Sequence, residues 1–378
     1  MIFHILFNPF ENDSRVLKET TSIAKQLPSE KVMILARGSY VKPNIEMIFD
    51  NLSVHRFFTF SEKHINLKFF KGLLLTIEWS IYCLRLIQNY EPKVIHCHDL
   101  NTLHIGFFVK LIKPKTHLIY DAHELETEQI PGNSLRKKIS KIWERILISR
   151  IDSFITVNDS IKENYEYIYG VKKSIVLFNS PNRTIITQKS SELRETLKLS
   201  SSDVLYIYQG GVSEGRGIEI ILEAFSRLPN YLHVVFMGSG SLEGIIKESS
   251  RKFSNIHIVP PVTYARLPIV TSGADIGLLL YENTCQNNYL CSPNKLFEYV
   301  NSEIPFICSP LYELTKLVKK FGIGVVLEKN DIDSLISAVL SCPTSNIPKE
   351  SFLRLKELFS WEVQEEKLLR LYSDIIRE

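Results

Sequence analysis

A chain of 378 residues, 44% hydrophobic and 23% charged, has the length and apolar content for two globular domains, each with its own core. A net charge of +3 is too small to argue for a nucleic-acid partner. Six cysteines without a CxxC pair argue against a disulfide framework, and the opening "MIFHILFNPF" lacks the basic segment of a secretory leader. No run approaches the ~18 uncharged apolar residues of a membrane-spanning helix, so the expectation is a cytoplasmic protein.

Strands and helices alternate along the chain. Ile2–Phe7 reads as a strand, and Arg15–Gln26 as a helix introduced by Asn12-Asp13-Ser14. Lys31–Ala36 is the next strand. A long helical stretch from Leu67 to Asn89 precedes the strand Val94–Cys97. Leu118–Tyr120 and Ser153–Val157 are further strands, with the helix Leu135–Ile148 between them. The polar stretch Asn179–Val204 reads as an interdomain linker. The rhythm then restarts with the strand Leu205–Gln209, the helix Gly217–Arg227, the strand His233–Met237 and the helix Leu242–Arg251. The strand Ile256–Val259, a helix near Tyr264–Ser272 and the strands Ile276–Leu280, Ile304–Cys308 and Gly324–Leu327 follow. Trp361–Arg377 reads as an amphipathic helix with Val363, Leu368, Leu371 and Ile375 on its buried side. Such a βαβ rhythm predicts an α/β chain of two doubly wound, Rossmann-like halves, whose ligands bind at the carboxyl ends of the strands.

The candidate chemistry falls at those strand ends. In "YQGGVSEGRGIEII", Gly210 and Gly211 follow a strand and Arg216 precedes a helix. Glycines let a backbone approach a phosphate, and an arginine at a helix start gives it charge-assisted bonds, although such a turn also serves as a plain strand–helix connection. Gly238 in "VFMGSGSLEGII" repeats the arrangement. In "SPNKLFEYVNSEIPFI", Ser292 reads as an N-cap and Pro293 as the first helical residue. Asn294 and Lys295 at that helix start suit an anion, and Glu298 one turn on suits ribose hydroxyls. An anion and a ribose together describe a nucleoside diphosphate. In the first half, "VIHCHDLNTL" and "LIYDAHELETE" end strands in histidine plus acid. His96 and His98 share one face of their strand, and their spacing matches no zinc-protease or deaminase pattern. We therefore expect no metal, and place His123 and Asp99 against sugar hydroxyls.

These motifs resemble those of the GT-B glycosyltransferases of the large retaining family 4, over almost the whole chain and in the family's order. "FENDSRVLKETTSIAKQL" resembles the first loop and helix; with "HCHD" it places Asn12, Arg15, His98 and Asp99 on the acceptor side. "YDAHE" places His123 at the family's active-site histidine. "GGVSEGRGIE" resembles the phosphate loop, with Arg216 gripping the diphosphate; "SPNKLFEYVNSEIPFI" resembles the donor motif, and "FSWEVQEEKLLRLY" the closing helix. The resemblance implies a GT-B fold whose halves face a cleft, with an acceptor domain (1–185), a donor domain (200–358) and a helix (359–378) crossing back to the first. It implies His123, Arg216, Lys295 and Glu298 as catalytic residues, and Gly210, Gly211, Gly238, Ser292 and Asn294 as further donor contacts.

The implied reaction is retaining, metal-independent transfer from a nucleoside-diphosphate sugar, UDP ahead of GDP, to a glycan or lipid-linked glycan in capsule, O-antigen or exopolysaccharide synthesis. Three positions depart from the family pattern: Leu290 stands where the first donor-motif glutamate falls, Gly211 where a second basic residue falls, and Asn301-Ser302-Glu303 where a small pair follows the donor helix. Rival readings are a sugar-nucleotide epimerase of the same architecture and a non-catalytic GT-B subunit. Basic and aromatic residues of the first half suit peripheral docking on an anionic inner membrane. They are Lys63, Lys68, Phe69, Phe70, Lys71, Leu73, Leu74, Trp79 and Arg85, with Ser134–Arg150 as a second basic helix.

Overall fold

The computed structural model describes all residues except 12, 62–67, 130–131, 133, 342–348 and 378. The expectations at Asn12 and Lys63 lie outside the described residues, as do the side chains of Lys68, Phe69, Phe70 and Lys71. The chain forms two compact units, Met1–Phe178 with Gln364–Glu378, and Asn179–Val363.

The first unit is an eight-stranded sheet of β1 (Ile2–Ile5), β2 (Val32–Arg37), β3 (Ile45–Phe49), β4 (Leu52–Phe57), β5 (Val94–His98), β6 (His117–Ala122), β7 (Ser153–Thr156) and β8 (Ser174–Val176). The strands lie in the order β3-β4-β2-β1-β5-β6-β7-β8. All pairs are parallel except β3 with β4. The chain winds outward from β1 in one direction and then in the other, so the strand order reverses between β1 and β5. Every side chain of β1 and β5 is buried. Helices therefore cover both faces, as near-continuous apolar strands require. The hairpin β3–β4 is absent from the sequence reading because its edge strand alternates exposed and half-buried residues and resembles loop.

The second unit is a six-stranded parallel sheet of β9 (Val204–Gln209), β10 (Leu232–Met237), β11 (Ile256–Val259), β12 (Ile276–Leu279), β13 (Phe306–Cys308) and β14 (Gly324–Val326). Its order is β11-β10-β9-β12-β13-β14, so the reversal lies between β9 and β12. Its core gathers Tyr206, Tyr208, Phe225 and Phe236 with the aliphatic side chains of the covering helices.

Two expectations need correction. The polar stretch from Asn179 is no free linker but part of the second unit. It carries a helix, Glu192–Leu197, with Leu193 buried, and Arg194 ion-pairs with Asp275. Asn301 Oδ1 accepts from the Thr184 N–H at 3.0 Å. The final helix, Trp361–Arg377, does return to the first unit from Gln364 onward. Its buried positions are Trp361, Gln364, Leu368 and Tyr372, while Val363, Leu371 and Ile375 are only half-buried. The inward face therefore includes two polar-tipped residues that an apolar pattern passes over.

Candidate active site

In the second unit, the residues singled out from the sequence meet beyond β9 and β12, where the strand order reverses. The helix Asn294–Asn301 is seated there by Tyr299. The Tyr299 hydroxyl lies 3.1 Å from the Ile207 carbonyl and 3.0 Å from that of Leu278, which join β9 to β12. Gly277 admits the ring, since a Cβ there would fall 2.6 Å from Tyr299 Cε2. Leu296, Tyr299 and Val300 are buried on one face, a burial worth roughly 1.5–3 kcal/mol per large side chain. Pro293 takes the capping position and Asn294, exposed, is the first helical residue; the cap makes no side-chain bond. The helix thus starts one residue later than a Ser292 cap would set it.

That helix delivers Lys295, only 6% exposed, with Nζ 3.7 Å from the centroid of Tyr208 and 5.4 Å from that of Tyr281. The Arg216 guanidinium lies 4.2 Å from the Tyr281 centroid. Among the described residues, neither cation has a carboxylate within 4 Å. Burial, reinforced by Arg216 and opposed by Glu298, lowers the Lys295 ammonium to about 7. Glu298 Oε2 accepts from Gln209 Nε2 at 2.5 Å, and Gln209 Oε1 accepts from the Thr271 hydroxyl at 2.7 Å. Gly210 lies against Lys295, where a Cβ would meet Cε at 3.2 Å. Gly238 closes the floor: a Cβ there would fall 1.9 Å from the Gly210 carbonyl oxygen, so no other residue fits. Gly211 borders open space. Leu290 is buried, 7% exposed. Two cations stacked on tyrosines over a glycine floor have the chemistry to attract an anion, and the Glu298 carboxylate one turn away can accept from a hydroxyl.

In the first unit the polar cluster lies beyond β5 and β6. Asp99 takes φ 63° and ψ 163° where β5 gives way to the next helix, a strained conformation found almost only at glycine. Its Oδ1 accepts from the His123 N–H at 3.2 Å. His123, half-buried, has Nε2 3.2 Å from Asp121 Oδ2 and Nδ1 3.6 Å from Asp99 Oδ1. Burial alone would lower its pKa, but Asp99 and Asp121 together raise it to about 10, so the ring is an imidazolium. Burial and the neighbouring Asp99 carboxylate hold Glu126 well above the usual carboxylate range.

Arg15 and His98, expected on the acceptor side, are both buried. Arg15 Nη2 and Nε hold Asp121 at 2.8 and 3.3 Å, and Nη1 donates to the Leu177 carbonyl at 2.8 Å. The Arg15 pair keeps Asp121 well below its usual range despite burial. Glu19, one turn further along the same helix and fully buried, is raised to about 7 by burial and by Asp121. These two residues therefore support the histidine cluster from below and offer no surface to a ligand. The donor atoms of Glu19, His96, His98 and Asp121 lie within 4.8 Å of one another, a spacing that could hold a cation. The guanidinium of Arg15 already supplies a positive charge there, and a second would repel it. His4, Glu19, Glu126, Gln209, Tyr281 and Tyr372 escaped sequence reasoning. Tyr208 and Tyr281 could have been found as the aromatic residues at the ends of β9 and β12; His4, in mid-strand, gave no signal.

Comparison with known proteins bears on the family and the fold. Residues 21–179 match the family described as Glycosyltransferase Family 4. The chain is 24% identical over 253 residues to the putative colanic acid biosynthesis glycosyl transferase WcaI of Escherichia coli K12, covering 64% of this chain and 60% of that relative. It therefore spans about three-fifths of the length of that curated protein. Among solved structures, the sucrose-phosphate synthase of Thermosynechococcus elongatus superposes with a TM-score of 0.76 at 15% identity, covering 100% of this chain and 99% of the other. Anabaena HepE in complex with UDP gives 0.73 at 12%, covering 99% of both chains. WaaG, a glycosyltransferase involved in lipopolysaccharide biosynthesis, gives 0.68 at 13%, covering 97% of this chain and 98% of the other.

Proposed function

We infer that this chain is a GT-B glycosyltransferase of family 4, supported by its partial family match and its structural neighbours, and that it moves a sugar from a nucleoside-diphosphate sugar to a hydroxyl acceptor in surface-polysaccharide synthesis. The observation that carries this reading is the pairing of Lys295 and Arg216 on Tyr208 and Tyr281, with Glu298 one turn beyond. A diphosphate satisfies both cations, and a ribose hydroxyl donates to Glu298. The leaving diphosphate gains negative charge as the glycosidic bond breaks, so cations fixed in a partly dry site stabilise the transition state more than the ground state. Diphosphate charge is met by protein cations in this account, and we propose that turnover is metal-independent.

Retention follows in this reading if the acceptor attacks the face from which the diphosphate departs, with a phosphate oxygen taking its proton. We assign His123 to the transferred sugar, since an imidazolium can donate from Nδ1 to a sugar hydroxyl or to the phosphate. UDP is the favoured carrier; the solved complexes of HepE hold UDP and UDP-glucose. A thermal-shift panel of nucleotide sugars tests the donor: a ligand that binds only the folded state raises the melting temperature by mass action. No rise with any UDP- or GDP-sugar would overturn the reading.

We further propose that the acceptor is lipid-linked and that the first unit docks on an anionic membrane. The helix Leu135–Ile148 exposes Leu135, Ile139, Ile142, Trp143 and Ile146 along one stripe, beside the basic residues Arg136 and Lys138. Lys137 and Lys141 are instead paired with Glu128. Trp79, counted for the membrane from sequence, is fully buried. Among the described residues no helix is long and apolar enough to cross a membrane, so docking would be peripheral.

A further inference from the structure

A line of hydrogen-bonded rings runs through the core of the first unit and ends at His123. The Tyr372 hydroxyl lies 2.8 Å from His96 Nδ1 and 3.3 Å from His4 Nε2. His4 Nδ1 lies 3.0 Å from His98 Nε2, and His98 Nδ1 lies 3.2 Å from His123 Nε2. Tyr372, His4, His96 and His98 are all buried, so no water competes for these contacts. His4 and His98 use both ring nitrogens within the line. Each contact needs one donor and one acceptor, so a choice at one ring fixes the next.

The choice is made at His123. It faces Asp99 from the end of β5, Asp121 from β6, Glu126 from the following turn, and Arg15 and Glu19 from the helix Ser14–Gln26. Held as an imidazolium, it presents Nε2–H to two groups at 3.2 Å, Asp121 Oδ2 and His98 Nδ1, and a lone pair on His98 Nδ1 lets that N–H be shared between them. That lone pair also lies 3.3 Å from Asp121 Oδ2, a repulsion offset by Arg15 on the same carboxylate. His98 therefore carries its proton on Nε2 and donates to His4. His4 in turn carries its proton on Nε2 and donates to the tyrosine oxygen. The tyrosine O–H points at His96 Nδ1, which leaves His96 with an Nε2–H directed at Asp121 Oδ2 across 3.6 Å. At that distance the contact is electrostatic, and the hydrogen-bonded line ends at His96 beside the carboxylate that flanks His123. In the opposite direction, a His96 lone pair would face the Asp121 carboxylate, and the N–H groups of His98 and His123, 3.2 Å apart, would compete for Asp121 Oδ2. His4 and His96 are held neutral, with pKa values lowered chiefly by burial.

We propose that Tyr372 is a positioning residue for His123, its hydroxyl fixing the tautomers of His4, His96 and His98 so that His98 Nδ1 accepts from His123 Nε2. The helix that returns to the first unit near the end of the chain thereby controls the protonation of the ring at the site. The meaning of this for transfer rests on the reading of His123 given above; the tautomers themselves need no substrate to be observed.

Long-range ¹H–¹⁵N correlation spectra of the full-length chain, labelled on histidine, test it directly. The wild-type protein is expected to show His4 and His96 as neutral Nε2–H forms, the His98 proton on Nε2, and His123 protonated on both nitrogens at pH 7.5, a working pH of about neutral. In Tyr372→Phe, the single tautomers of His4 and His96 are expected to give way to mixtures. His98 then samples the Nδ1–H form, which turns an N–H toward His123, and the His123 midpoint is expected to fall by about one pH unit or more. Unchanged tautomers and an unchanged midpoint in Tyr372→Phe would overturn the proposal. Should that substitution unsettle the fold, the wild-type spectrum decides alone, because a His98 Nδ1–H form contradicts the assignment. These readouts stand whether or not the chain transfers a sugar.

Discussion

Replacing Lys295 by methionine should make the protein more stable and unable to hold its donor. The ammonium is buried against two tyrosine rings and beside Arg216, and its pKa falls from 10.5 to about 7. At ~1.4 kcal/mol per pH unit, that fall represents roughly 5 kcal/mol of unfavourable burial of the charged form. The unfolded chain keeps this lysine protonated to about pH 10. Between about 7 and 10 the unfolded state therefore binds more protons, and the Lys295 contribution to stability rises with pH. Below about pH 7 both states are charged and the full burial cost remains. Methionine keeps the shape of the stem without the charge. The free Lys295→Met protein should melt several degrees higher than wild type at pH 6.5, taking ~2–4 °C per kcal/mol for a domain of this size. This difference should shrink as pH approaches 10. The stabilisation that UDP gives wild type should be absent from the variant. In wild type, UDP affinity should weaken by up to tenfold per pH unit above about 7, since the diphosphate needs the ammonium. Differential scanning calorimetry across pH, with and without UDP, reads all of this. A variant that melts lower than wild type at pH 6.5 and still responds to UDP would refute the reasoning.

Three further outcomes follow from the same geometry. Arg216→Ala should lower turnover by ~10²–10³ through loss of a charge aimed at the leaving diphosphate, and Glu298→Gln should weaken donor binding while the chain stays folded; near-wild-type kinetics in both would remove the site from the second unit. Turnover should survive EDTA, and a complete loss restored by a divalent ion would instead give the Glu19, His96, His98 and Asp121 cluster a metal. Co-sedimentation with anionic liposomes should fall as salt screens the basic residues and fall again in Ile142→Glu, where a charge enters the exposed stripe; no sedimentation at low salt would favour a soluble acceptor.

The strand–helix alternation was legible because buried parallel strands are almost wholly apolar, and the strands β5, β9 and β10 stand out as such runs. The cation cluster of the second unit was legible too, because glycines and cations at strand ends are short-range signals. Arg216, Lys295 and Glu298 sit within their own motifs. Their aromatic supports, Tyr208 and Tyr281, come together only once β9 and β12 are neighbours. The histidine cluster was half legible. "HCHD" and "DAHE" announce His96, His98, Asp121 and His123, yet their orientation depends on His4 and on Tyr372, the latter 276 positions from His96. No local pattern carries that distance. Arg15 was expected on the acceptor side; the Asp121 carboxylate, on a strand 106 positions away, draws it inward. The stretch after Asn179 misled for the opposite reason. Its polar composition resembles a linker, but Arg194 and Thr184 spend their polar groups on the second unit.

Sugar transfer from a nucleoside-diphosphate donor is the central claim, and turnover followed by ¹H NMR on the full-length chain tests it most directly. The chain is incubated with each donor of a UDP- and GDP-sugar panel and a lipid-linked glycan preparation, and the anomeric signals are followed over time. The account predicts loss of one donor, release of an equal amount of nucleoside diphosphate, and a new glycosidic signal with the anomeric configuration of the donor. Conversion of the donor into a second nucleotide sugar, with no diphosphate released, would contradict it and make the chain an epimerase. Donors that bind yet stay intact with every acceptor would make it a non-catalytic subunit.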